Sequence, residues 1–270
     1  MLSDLLLKKI KLLIICLLLG ACATQPININ IQAPPEQDDK AASILEEKMG
    51  EAGYYFLVLN FKLVDDAKTT NRLNRIGARI AAFTERPLIH YKYLIIDSVY
   101  RNAFSMPNGY IVFTGSFLDL FDQDDVLASV IAHEMAHVTH KHVVSEYHRE
   151  MGKSAASIIG EKVFNDATDM HLRQAYELQA DQTGLRYLYR AGYDPEAFIE
   201  ALEKLVLVEK EDQERFDREV KEDPKMRSSF NKKLVPDHPL TVNRIVNVRN
   251  HIPEVRMTEE VKYDPEQFQF

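Results

Sequence analysis

The chain has 270 residues, 46% hydrophobic and 27% charged, which is length and composition enough for a domain with a sizeable buried core. Its formal net charge of −8 argues against general nucleic-acid binding, which depends on neutralising phosphates with Lys and Arg. Both cysteines, Cys16 and Cys22, lie near the N-terminus, so no disulfide framework is expected further along.

In chain order, Lys8, Lys9 and Lys11 precede an apolar run over 12–19 and then Gly20-Ala21-Cys22. A basic start, a short apolar stretch and small residues describe a secretory signal, and the run is too short for a comfortable span of ~20 residues. Leu19-Gly20-Ala21-Cys22 resembles the lipobox of bacterial lipoproteins, which implies cleavage after 21 and lipid on Cys22. Ala23, with no Asp there, resembles the outer-membrane sorting rule of Gram-negative bacteria. The expected location is therefore the periplasmic face of the outer membrane, reached through a lipid and not through a basic patch. Residues 22–40 are polar and Pro-containing and read as a tether.

A domain is expected over 41–255, followed by a tail over 256–270. Residues 41–63 look helical, interrupted by Gly50 and Gly53; 69–85 form a better helix, with Leu73, Ile76, Ile80 and Phe83 at core spacing before Pro87. Between 88 and 104, β-formers in short runs predict two strands turning near Asp97-Ser98. Pro107-Asn108-Gly109 is a turn signal, and Tyr110-Ile-Val-Phe-Thr114 is a third strand. A short helix near 116–121 leads into a helix opened by Asp124-Asp125. Further helices are expected at about 143–164, 170–191, 195–209 and 239–251, with a long loop over 223–236. The result is an α+β domain, mostly helical, with one small three-stranded sheet.

The chemistry centres on His133-Glu134-Met135-Ala136-His137. On a helix, residues i and i+4 share a face, so the two imidazoles can bind one Zn²⁺ while Glu134 reaches a water on it. A catalytic zinc takes three protein ligands and leaves a position open. His140, seven residues beyond His133, lies ~10 Å along the axis and out of reach. The third ligand must come from another helix, with Glu146, Glu150, Glu161 and Glu177 as candidates. Glu177 and Asp181 stand at i and i+4, so one carboxylate could bind metal while the other orients a ligand histidine.

Four blocks in order, Asn102-Ala-Phe-Ser-Met-Pro-Asn-Gly-Tyr-Ile-Val-Phe-Thr-Gly115, His133-Glu-Met-Ala-His137, Glu177-Leu-Gln-Ala-Asp181 and His238-Pro-Leu-Thr-Val-Asn-Arg-Ile245, resemble the gluzincin zinc metallopeptidases of the CAAX prenyl protease, HtpX and Oma type, in their soluble bacterial lipoprotein branch. The chain departs from that pattern at Asn108, where Gly is usual, and at Gln174-Ala175, where Ser-Arg is usual. The resemblance implies a zincin-like fold and one zinc per chain on His133, His137 and Glu177. It implies Glu134 as general base and Asp181 behind a ligand histidine. His238 would stabilise the oxyanion or block the metal, and Arg244 would support the site. Substrate would lie along an open strand edge at Asn102 and Ala103 or at Gly109, Tyr110 and Ile111. The implied activity is endopeptidase cleavage of misfolded or unassembled envelope proteins. The alternatives are a latent zinc-bound chaperone or outer-membrane assembly factor silenced by His238, and a non-peptidase metallohydrolase on the same ligands.

Overall fold

The computed structural model describes residues 42–151, 159–169, 174–235 and 241–264. Helix α1, Ile44–Asn60, opens with a capping box in which Ser43 and Glu46 satisfy each other's backbone N–H groups. Helix α2, Ala67–Ala81, starts at the Asp66 cap and buries Leu73, Ile76 and Ile80. Three strands follow: β1, Lys92–Ile96; β2, Ala103–Met106; β3, Tyr110–Thr114. A short α3, Gly115–Leu118, leads to α4, Asp124–Thr139, which carries the two motif histidines. Then come α5, His142–Met151; α6, Ile159–Asp169; α7, Gln174–Arg190; α8, Ala197–Glu222; two 3₁₀ turns, Pro224–Ser228 and Phe230–Leu234; and α9, Thr241–Thr258.

The sheet order is β1-β3-β2, with β1 parallel and β2 antiparallel to β3. β2 and β3 form a hairpin around Asn108 and Gly109, both at positive φ, a conformation Asn and Gly adopt most readily. The expected turn near Asp97-Ser98 exists, but β1 and β2 do not pair across it, because β3 inserts between them. Val99 and Tyr100 belong to that crossover and not to a strand. It is fastened to α8: Asp212 accepts from the Arg101 backbone and guanidinium, and Glu219 accepts from the Tyr100 hydroxyl.

The sheet is covered on both faces. Ile95, Ile111 and Phe113 face a core shared with α2, α4, α7 and α8, whereas Phe104, Met106 and Val112 face a second core under α1 and α6. This explains the near-continuous apolar run of β3, since both of its faces are buried. α4 is buried on every side from Val126 to Val138, so it behaves as a core helix and not as an amphipathic one.

Several expectations shift in detail. α1 runs unbroken through Gly50 and Gly53, because those positions are close approaches: a Cβ on Gly50 would meet the Pro107 carbonyl oxygen at 2.4 Å, and one on Gly53 the Met106 sulfur at 2.9 Å. α8 extends to Glu222, well past 209, and α9 to Thr258. The 223–236 stretch is largely 3₁₀ turns and not an open loop. Residues 262 and 263 then donate backbone N–H bonds to the Arg190 carbonyl.

Two contacts position α4. Buried Arg86 pairs with both carboxylate oxygens of Glu46 at 2.8 and 2.9 Å and donates to the Val138 carbonyl at 3.1 Å, tying α1 to the C-terminal end of α4. At the other contact α7 crosses α4 closely, and a Cβ on Gly184 would lie 3.0 Å from the His133 backbone. Gly184→Ala must therefore push the helices apart, at a cost of about 1–3 kcal/mol. A urea titration should show that loss, whereas Gly115→Ala, whose Cβ would meet nothing nearer than 4.0 Å, should leave the midpoint unchanged or raise it slightly.

Candidate metal centre

One helical turn on α4 brings His133 Nε2 and His137 Nε2 to 3.0 Å. From α7, Glu177 places Oε1 3.2 Å from His137 Nε2 and Oε2 3.6 Å from His133 Nε2. Zinc bonds of ~2.0–2.1 Å set tetrahedral ligand–ligand edges of about 3.3–3.4 Å, so these three donors converge as one metal would need. Among the described residues, His133, His137 and Glu177 form the group able to hold a metal ion. Of the other carboxylates considered, Glu146 and Glu161 lie outside that group, and nothing is described of the Glu150 side chain.

Behind the donors lies a buried ion cluster. Asp181, one turn after Glu177, has Oδ1 3.0 Å from His133 Nδ1. Arg244, delivered by α9, donates to Asp181 through Nε at 2.8 Å and Nη2 at 2.7 Å, and its Nη1 lies 2.5 Å from Glu177 Oε2. Arg244 is 2% exposed and both carboxylates are fully buried. Burial alone would raise the Asp181 pKa, but the charge and hydrogen bonds of Arg244 more than offset it and hold Asp181 below the usual range. Two carboxylates against one guanidinium leave the cluster one positive charge short. The donor set and this deficit fit a divalent cation.

The second nitrogen of each histidine is also engaged. His137 Nδ1 lies 2.8 Å from Nδ1 of His142, the first residue of α5. His142 is buried, its pKa is pushed down to about 4 by desolvation, and its ring stacks on Tyr176 with centroids 4.3 Å apart. His142 Nε2 meets Gln179 Oε1 at 3.0 Å. Burial likewise lowers the His137 pKa, leaving a neutral imidazole. His140 does not join the donors; its Nε2 meets Thr183 Oγ1 at 2.8 Å. Sequence reasoning passed over His142 and Gln179. The one available signal was the crowding of His140, His142 and His148 after the motif.

A narrow cleft opens beside the donors, bounded by His133, Glu134 and Arg244, by Asn102 and Ala103, and by the apolar face of α8 at Phe198, Ala201, Leu202 and Leu205. The expected substrate edge at Gly109, Tyr110 and Ile111 is corrected here. β3 is the central strand, so Tyr110 and Ile111 are paired on both sides, and Gly109 is the turn residue before them. Asn102 and Ala103 stand on the outer strand instead. Asn102 is bonded inward to Thr114, so by alternation the peptide groups of Ala103 face outward. His238 and Cys22 lie outside the described residues.

The model of peptidase family M48 matches residues 67–252. The chain is 25% identical over 247 residues to the beta-barrel assembly-enhancing protease of Escherichia coli (strain K12), covering 82% of this chain and 47% of that protein. The corresponding Yersinia pestis protein is 24% identical over 235 residues, covering 78% and 45%. The mitochondrial metalloendopeptidase OMA1 of Arabidopsis thaliana is 29% identical over 153 residues, covering 53% and 32%. The chain thus spans about half the length, or less, of these curated relatives.

Removing Arg244 while keeping its bulk isolates the ion cluster. Arg244→Met should destabilise the metal-free protein by about 3–5 kcal/mol in denaturant titration, because two buried carboxylates lose their counter-ion. Asp181 carries a lowered pKa, so the stability it contributes is present above the ordinary aspartate range and is lost as pH falls through its folded pKa. Unfolding measured from about pH 5 down to about pH 2 should show this decline in the wild type and a shallower one in Asp181→Asn.

Proposed function

Because the chain belongs to peptidase family M48, we propose that it is a zinc-dependent endopeptidase of the bacterial cell envelope. The observation that carries this reading is the convergence of His133, His137 and Glu177 on one point, next to a cleft that His133 and Glu134 line. His133, His137 and Glu177 would hold a zinc ion, which would supply a water acidified to a pKa of ~7 and a Lewis acid for the scissile carbonyl. Glu134 takes the proton as the water oxygen bonds to the carbonyl carbon, then delivers it to the amide nitrogen as the C–N bond breaks. Asp181 and Arg244 hold the donors in place, and the Asp181 carboxylate, 3.0 Å from His133 Nδ1, favours the proton on that nitrogen and leaves the Nε2 lone pair for the metal.

Substrate in this reading runs extended along the outer edge at Asn102 and Ala103, with one apolar side chain in the cleft against α8. Backbone pairing makes little demand on sequence and favours unfolded segments, so misfolded or unassembled envelope proteins are the proposed substrates. The name of the Escherichia coli relative, a beta-barrel assembly-enhancing protease, is consistent with this setting. Among the described residues no helix is long and apolar enough to cross a membrane, and the lipid on Cys22 provides the proposed anchor.

Zinc content and casein cleavage, measured on wild type beside Glu134→Gln, test the reading. One zinc per chain is expected in both, with cleavage at least about 100-fold slower in the variant. Absence of zinc from the wild type would remove the metal assignment, and zinc without cleavage would remove the peptidase. A second variant addresses the cleft. Ala201→Phe should lower kcat/KM for peptides with a large apolar residue at the cut by roughly 10- to 200-fold relative to those with a small one.

A further inference from the structure

The reading above accounts for His133, whose outer nitrogen faces Asp181, and leaves the outer nitrogen of His137 unassigned. A second imidazole, that of His142, stands 2.8 Å from it. α4 ends at Thr139 with His140 as its cap, and Lys141, at φ 55, turns the chain so that α5 begins with His142 directly against His137. The rings meet Nδ1 to Nδ1 at 2.8 Å, with planes 76° apart. Between two imidazole nitrogens one must be N–H and the other a bare lone pair.

The far side of His142 decides which. Gln179 presents Oε1 to His142 Nε2 at 3.0 Å and Nε2 to His140 Nδ1 at 3.3 Å, and His140 Nε2 closes on Thr183 Oγ1 at 2.8 Å. A carbonyl oxygen can only accept, so the proton of neutral His142 sits on Nε2 and its Nδ1 is bare. His137 Nδ1 must then be the N–H, and His137 Nε2 keeps its lone pair toward His133 and Glu177.

We propose that His142 is the positioning residue for His137. Its Nδ1 accepts the His137 Nδ1 proton and locks that ligand in the one tautomer, and the one ring orientation, that can bind a metal. Gln179, one helical turn from Thr183 and two residues after Glu177 on α7, sets the polarity of the relay. The helix that supplies the third ligand therefore also prepares the second. This role for His142 rests on the zinc reading of the site.

The test separates hydrogen bonding from packing. His142→Phe keeps the ring that stacks on Tyr176 and His140 but offers no acceptor. His142→Asn loses the stack and carries an amide oxygen near the place of Nδ1. Zinc affinity of the full chain is measured by competition with a chromogenic chelator, alongside the thermal midpoint of the metal-free proteins. Positioning predicts an affinity about 10- to 100-fold weaker in His142→Phe, with its metal-free midpoint near wild type, and an affinity close to wild type in His142→Asn. Wild-type affinity in His142→Phe would overturn the proposal while leaving the zinc reading intact. So would affinities that follow the midpoints, with Asn the weaker binder. A wild type that binds no zinc would remove both readings.

Discussion

The centre is organised by one buried guanidinium. Arg244 reaches from α9 to two carboxylates on α7, and each carboxylate in turn faces a histidine on α4. Three helices distant in sequence are thereby held in register by charge in a place where water cannot screen it. Desolvating three ions is expensive, and such a cluster persists only where its charges are closely paired. That requirement makes the positions of Glu177 and Asp181 narrow, which is what a metal site needs.

Packing supplies the complementary constraint. α4 is enclosed by the sheet, α2, α7 and α8, so its histidines cannot swing toward solvent. The absence of a side chain at Gly184 lets α7 come close enough for a short carboxylate to span the gap. The apolar wall of α8 then shapes the cleft beside the donors. Rigid elements carry the donors, and the loops carry none of them among the described residues.

Much of this was legible beforehand, for reasons that differ by residue. His133 and His137 declare themselves because helical period and ligand spacing coincide. Glu177 and Asp181 do so because they repeat that spacing on a second helix. Arg244 acts across 63 residues, and only its occurrence in a recognisable block marked it. The sheet order was not legible: β-propensity locates strands but says nothing of β3 inserting between β1 and β2, and so the open edge was assigned partly to the wrong strand. Gly50 and Gly53 read locally as helix breakers, yet they serve close approach, a property of the neighbours and not of the segment. His142 was missed because Lys141, a residue with no turn signature, adopts the left-handed conformation that folds α5 back onto α4.

Glu46 has two duties that are usually separate. It completes the capping box of α1, and it neutralises Arg86 beneath the last turns of α4. Fraying of α1 at its start would strand a buried cation under the helix that carries His137. A loss that in most helices is confined to one turn is here propagated across the domain. The first helix after the N-terminal segment and the helix of the metal site are thus coupled through one buried ion pair.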